Sequence, residues 1–384
     1  MSSMKLNTKP NRRTVLKLAG AAAGAALLSR VSRASANRRS TGLRTRLSID
    51  LGLSVPLASA GMAFVGLTDL AAAVSNAGGL GVYGVGPEPP PVVQARLEAI
   101  QEQTSGPYGL DFLVDTGAFG PFVTQDHIDV AASFHVPIVV FHWNLPDASW
   151  VAQLQAAGSK VWMQTGDVNV ALQAVARGVD GIVAQGRSAG GHNRNSTIPT
   201  WRLVHEMRRA LPARIFILAA GGVSDGRSLV RAIRAGADGG WAGTVFAAAE
   251  ESYAHPGYKA RLVAAHASHD TLFTTRFGPE WAGQQQRVLR NRATTESLRT
   301  TPAIIGTTTL FPGVLDVPFT MPKYSAIVPT RDTAGDLEEM DMPAGSKSIR
   351  SVRAVRPAAD IIDDFIDNAR DACDRDDDES LDED

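Results

Sequence analysis

The chain has 384 residues, 44 % of them apolar, with 38 basic against 39 acidic side chains and a formal net charge of -1. That balance lacks the electrostatic footprint of a nucleic-acid partner, and the length suffices for one large core or two modest ones. The single cysteine, Cys373 near the acidic end, excludes an internal disulfide, a cysteine-ligated metal cluster and, by its position, a cysteine nucleophile.

The opening run NRRTVLKLAGAAAGAALLSRVSRASAN combines Arg12-Arg13, an apolar stretch from Leu16 to Leu28 and Ala34-Ser35-Ala36, a small-x-small cleavage pattern. The apolar stretch is short of the ~20 residues a membrane span needs. Residues 1–36 therefore read as an export signal, and its paired arginines resemble the twin-arginine type, whose passengers cross the membrane folded. The expected destination is periplasmic or extracytoplasmic, without a stable membrane anchor after cleavage; a signal that does not function would leave the protein in the cytoplasm.

From Leu53 onward, short β-rich runs alternate with amphipathic helical patterns at a spacing of roughly 22 to 35 residues. The candidate strands are LSVPLASAG, LGVYGVG, YGLDFLV, PIVVFHW, KVWMQTG, GIVAQG, RIFILAAGG and DGGWAGTVF. An open doubly wound sheet would use the same alternation, but eight such units favour an α/β fold of the (β/α)8 barrel type over residues 37–250. Between strands, LTDLAAAVSNAGG puts Leu67, Leu70, Ala71 and Val74 on one face and stops at glycine; NVALQAVARG and GRSLVRAIRAG repeat the arrangement. Residues 251–300 read as helical, with YKARLVAAH amphipathic. The Pro-, Gly- and Thr-rich stretch 301–346 reads as a lid or extended loop, so 251–346 together would cover the barrel mouth. Within 347–384, AADIIDDFIDNARDA is a helix with apolar Ile361, Ile362, Phe365 and Ile366, and the acidic residues after it are expected to be disordered.

In such a barrel the ligand site lies at the carboxyl ends of the strands, and phosphate commonly sits on the loops after the seventh and eighth. Gly221-Gly222 and Gly243-Thr244 occupy those two places, with backbone N–H groups and a hydroxyl to offer. At the end of the sixth candidate strand, VAQGRSAGGHNR carries Gly186, Gly190 and Gly191, which would let a flat ligand lie against backbone, and then His192. An imidazole there titrates near neutrality and can take a proton from a carbon acid or steady an anion. His127, His205, His255, His266 and His269 have no such surroundings and read as ordinary solvated or hydrogen-bonded histidines. No GK[ST] phosphate loop, HExxH, CxxC or GxSxG occurs, and no metal site is expected.

The blocks DLAAAVSNAGGLG, GVDGIVAQGRSAGGH, AAGGVSDGRSLVRAIRAGADG, AGTVFAAAEES and PKYSAIVPTRDTAGDLE, spread over Val55 to Ser346, resemble those of the nitronate monooxygenases, once called 2-nitropropane dioxygenases. The resemblance implies an FMN-containing (β/α)8 barrel that oxidises alkyl nitronates, and in some members neutral nitroalkanes, with molecular oxygen to carbonyl compounds and nitrite. It implies His192 as the base beside the flavin. Gly190, Gly191, Gly221, Gly222, Gly243 and Thr244 would bind FMN, with Ser59, Met62, Gln164 and Gln185 near its ring. Tyr324 and Ser325 would cap the substrate side, and His142 and Trp143, after Phe141, would wall the pocket. The chain departs from the family pattern at Asp111, where an amide commonly contacts FMN, at Gly61 within Ala60-Gly61-Met62, at Ser188 and at Ser346. An ionised Asp111 would disfavour flavin reduction unless protonated or paired. Two alternatives share the barrel: a flavin-dependent enoyl-acyl-carrier-protein reductase, and a non-catalytic flavin-binding or sensing protein.

Overall fold

The computed structural model describes residues 44–117, 120–194, 196–297 and 303–381; the predicted signal over 1–36 lies outside them. Its centre is a sheet of eight parallel strands: β1 (Leu57–Ser59), β2 (Gly81–Val85), β3 (Tyr108–Val114), β4 (Ile138–Trp143), β5 (Lys160–Thr165), β6 (Gly181–Gln185), β7 (Phe216–Ala220) and β8 (Gly239–Ala242). Each strand pairs with its successor from β2 to β8, and β8 returns to β1. The seam between β1 and β2 is a single parallel bridge, Ala58 to Leu80. The Ser59 hydroxyl reinforces it by accepting the Val82 N–H at 3.0 Å. The result is the expected (β/α)8 barrel.

Around it run α2 (Thr68–Asn76), α3 (Pro90–Gln103), α4 (Gln125–Ser133), α5 (Ala148–Ala156), α6 (Val168–Ala176), α7 (Thr200–Ala210) and α8 (Gly226–Arg234), preceded by α1 (Arg46–Leu51). The face of α2 read from the sequence is the buried one, with Leu70, Ala71 and Val74 in the core. Asp225 and Asp167 cap α8 and α6 by accepting first-turn N–H groups, as carboxylates before a helix should.

Strand side chains alternate between the helix layer and the barrel interior, and this periodicity decides where the site falls. Ile138, Val140, Trp162, Val183, Leu218 and Trp241 fill the interior. Leu47 of α1 packs near the start of β8, closing the amino-terminal end. Trp162 fits because Gly181 faces it: a Cβ there would lie 2.7 Å from the indole ring. Continuing the same inward rows by one step at the carboxyl ends gives His142 after Val140, Gln164 after Trp162, Gln185 after Val183 and Asp111 after Gly109. The interior is thus lined mainly by apolar side chains for most of its depth and becomes polar at its mouth.

After β8 come α9 (Thr244–Ala247) and α10 (Pro256–Ala264), but the segment read as helical through residue 300 is only partly so. It contains the antiparallel strands β9 (Thr271–Thr274) and β10 (Gln286–Leu289), followed by the short α11 (Arg292–Thr295). Runs of four residues are too short for a strand period to be told from a helix turn. The stretch read as a lid or loop holds a second antiparallel pair, β11 (Ile304–Leu310) and β12 (Val317–Pro322). Finally α12 (Ala358–Leu381) continues through acidic residues expected to be disordered, and packs on α8 and α2. Gly226 marks the closest approach, where a Cβ would collide with the Phe365 carbonyl and the Ala369 nitrogen. No described helix is long and apolar enough to cross a membrane, and no described His, Cys, Asp and Glu side chains cluster as metal ligands.

Candidate active site

A cavity of about 440 Å³ opens at the carboxyl ends of the barrel strands, within the range of cofactor and small-molecule pockets. Of the residues singled out from the sequence, Met62, Asp111, Gln164 and Gln185 line its floor, and His142, Trp143, His192 and Ser325 its walls. Gly190, Gly191, Gly221, Gly243 and Thr244 line the side where strands β6 to β8 end.

Three expected residues do not line it. Ser59 is fully buried, its hydroxyl committed to the β1–β2 seam. Gly222 faces the Lys347 side chain instead. Tyr324 turns away to pack on Phe277, with ring centroids 6.3 Å apart, and leaves its neighbour Ser325 at the cavity. Thr244 is the first residue of α9, not part of the eighth strand, and its hydroxyl accepts the Gly345 N–H at 3.0 Å.

The glycines after β6 are required by a crossing of chains. The segment around Ala344 runs over Gly190, where a Cβ would lie 2.7 Å from the Ala344 carbonyl carbon, and at Gly221, just after β7 and at φ +101°, a Cβ would lie 2.6 Å from the Ala189 nitrogen. The segment around Ala344 is thereby held over the loop after β6. Gly191 and His192 form a short strand against β10, pairing with Arg287 and Gln286 respectively, so the covering hairpin is hydrogen-bonded directly to the histidine's backbone.

The His192 ring stands between two indoles, Trp281 at 4.9 Å and Trp143 at 5.9 Å, both edge-on. Enclosure disfavours the imidazolium and lowers the His192 pKa to about 4, against a small opposing pull from the Phe277 backbone. His142 is likewise held at about 4, by burial first and then by the nearby His192 and Arg194 charges. The Nε2 atoms of both histidines are buried without a hydrogen-bond partner. The carboxylic acids move the other way. Burial raises Asp111 well above the usual range and Asp341 to about 8, with the Gln286 amide pulling Asp341 back. Near neutral pH the His192 and His142 imidazoles at the cavity are therefore largely uncharged, and burial shifts both acids toward their neutral forms. Asp111 Oδ1, Gln164 Oε1 and Asp341 Oδ1 also lack partners, which native interiors rarely tolerate unless a ligand supplies them.

Sequence reasoning missed Trp281, Gln286, Asp341 and Phe122, all at the cavity. The first three lie in the covering segment and belong to no motif; a tryptophan in the Gly-Pro-rich turn FGPEWAG is the one cue available. Trp281 donates its Nε1–H to Asp115 at 2.8 Å and tilts against Phe122, joining the cover to the end of β3. Phe64 and Trp143 hold positive φ values of 69° and 85° at the cavity wall. Such strain in bulky residues costs roughly 1–3 kcal/mol and collects at functional sites.

A sequence model of the nitronate monooxygenase family matches residues 44–368. The chain belongs to the nitronate monooxygenase family. A curated nitronate monooxygenase of Paraburkholderia phytofirmans is 31 % identical over 277 residues, covering 61 % of this chain and 74 % of that protein. Among solved structures, FabK of Thermotoga maritima superposes with a TM-score of 0.69 at 27 % identity, over 86 % of this chain and 98 % of its own. A nitroalkane oxidase of Streptomyces ansochromogenes has the same fold at a TM-score of 0.69 and 24 % identity, over 86 % of this chain and 99 % of its own. Membership makes this nitronate monooxygenase homologue an oxidoreductase, setting aside the non-catalytic alternative, and implies a flavin, a small-molecule substrate and molecular oxygen.

Proposed function

We propose that the protein binds FMN in the barrel mouth and oxidises small alkyl nitronates, and neutral nitroalkanes through His192 as base, giving carbonyl compounds and nitrite. The observation that carries the reading is the enclosed, neutral His192 at a cavity whose buried polar atoms await partners. FMN, when bound, supplies the redox chemistry, accepting electrons from the nitronate and delivering them to oxygen. The residues present fit that group. Gly221, Gly243 and Thr244 leave backbone open on the phosphate side, and Gln164, Gln185 and Asp111 offer polar contacts to a flat ring.

The protein's own share of the chemistry is positioning, exclusion of water and proton transfer. Burial pushes Asp111 toward its neutral form, in which it brings no negative charge to the cofactor and can donate where the family's usual amide would. Trp143, Trp281 and Phe122 narrow the entrance and suit a short alkyl chain. A neutral Nε2 on His192 can accept the α-proton of a nitroalkane; a preformed nitronate needs no base. We also propose that residues 1–36 direct export through a twin-arginine pathway, supported by the paired arginines and the short apolar run.

The test is a visible absorption spectrum of the purified protein followed by a nitrite assay with ethyl nitronate in air. A flavin spectrum with nitrite release is the expected result. A flavin-loaded protein that releases none overturns the proposed reaction.

A further inference from the structure

Beside the main cavity lies a second chamber of about 180 Å³, between the ends of β4 and β5. His142, Trp143, Gln164 and Gln185 line both spaces, so these four side chains form a partition. On the far side the wall is Asn144, Thr165 and Arg194.

Arg194 is the element of this chamber that the proposed chemistry leaves unused. Its Nη1 donates to the Trp143 carbonyl at 3.1 Å and to the Asn144 side-chain oxygen, and its guanidinium lies 5.3 Å from the Trp143 ring centroid. Those contacts fix the plane of the group while occupying only Nη1. A guanidinium carries five N–H donors; the edge formed by Nε and Nη2 has no partner among the described residues, and no described carboxylate pairs with this arginine. That edge is the geometry that takes a planar oxyanion through two parallel hydrogen bonds. The partition contributes His142, whose buried Nε2 has no partner.

We propose that this chamber is a binding site for a small planar oxyanion carrying an O–N–O group, held on the Nε–Nη2 edge of Arg194. The site rests on the reading that the reaction releases nitrite. It would then receive that product across the His142–Gln164 partition, or hold the anionic end of a bound nitronate. A space of this size admits a few water-sized molecules, at roughly 30 Å³ each, and so an anion of that class but not a flavin. Its one fixed cation selects anions over the neutral carbonyl product, which would leave through the wider mouth.

The experiment is an equilibrium titration of the flavin-loaded protein with sodium nitrite, followed by calorimetry and by the flavin spectrum, which requires no turnover. Wild-type protein is expected to bind nitrite saturably. Arg194→Gln should weaken that binding about 10- to 100-fold, the effect of losing charge-assisted hydrogen bonds, with flavin content unchanged. If Arg194→Gln does not hold flavin, Arg194→Lys decides: it keeps the charge but loses the paired donors, and nitrite binding should weaken several-fold. Absence of nitrite binding, or equal affinity in wild type and the folded variants, overturns the proposal. A KM for ethyl nitronate that rises in parallel with the loss of nitrite binding assigns the chamber to the substrate's anionic end; an unchanged KM assigns it to the product. Failure of ethyl nitronate to yield nitrite counts against the proposed reaction and leaves the titration result standing on its own.

Discussion

Replacing His192 by asparagine removes the proposed base while keeping a polar side chain of similar reach between Trp143 and Trp281. Burial holds the native imidazole near a pKa of about 4. At pH 7 roughly one molecule in a thousand is then protonated, against about one in four for an unperturbed histidine near 6.5. The base is therefore available throughout the neutral range, and the acid limb of kcat/KM for nitroethane is expected at about pH 4 and not near 6.5. His192→Asn should lower kcat/KM for nitroethane by about 10²- to 10⁴-fold, the usual worth of a positioned base, while ethyl nitronate, which has no α-proton to lose, should change by less than about tenfold. The stability consequence has a definite sign. Because the folded pKa lies below the unfolded one, the unfolded chain takes up a proton first. Stability is fully present above about pH 6.5 and declines as pH falls toward 4, by up to about 2–3 kcal/mol from this one group. The asparagine variant lacks that decline, so its stability relative to wild type should improve on acidification. Stopped-flow or oxygen-uptake kinetics with both substrates, with flavin content checked by absorbance, make the comparison. Equal losses for nitroethane and ethyl nitronate, or an acid limb at 6.5, would refute the assignment.

Asp111→Asn should retain flavin and stabilise the protein increasingly as pH rises above the unfolded carboxyl value of about 3.9. The native acid, raised by burial, must take up a proton to fold there, and thermal melts at two pH values would detect the difference. Trp281→Phe removes the hydrogen bond to Asp115 and should cost about 1 kcal/mol while improving kcat/KM for longer nitroalkanes relative to nitroethane; an unchanged chain-length preference would count against its place at the entrance. Gly226→Val forces α8 away from α12 and should destabilise by about 2 kcal/mol or more, read as a lower Tm with the flavin spectrum preserved in the folded fraction. A reporter fused behind residues 1–36 should be exported, and replacing Arg12-Arg13 by Lys-Lys should hold it in the cytoplasm; export indifferent to that change would remove the twin-arginine assignment.

The barrel and most of its mouth are legible in the amino-acid sequence, because both follow from local periodicity. Strand runs such as PIVVFHW and KVWMQTG alternate sides by covalent geometry, so knowing that Val140 and Trp162 face inward fixes that His142 and Gln164 do too. The glycines after β6 and β7 were likewise visible, since a positive φ or a close backbone approach leaves few alternatives to glycine. Contributions made across long sequence separations are set by the three-dimensional packing instead. The pairing of β10 with His192, the indole of Trp281 against its ring and the buried Asp341 all come from a covering segment whose short strands carry no distinctive period. Ser59 and Tyr324 stood at the expected places in the chain, yet one hydroxyl closes the barrel seam and the other ring turns toward Phe277. The protonation of the site belongs to the same class. The residue types His and Asp are written in the chain, but whether they carry charge at pH 7 depends on how completely the folded barrel and its cover exclude water from them.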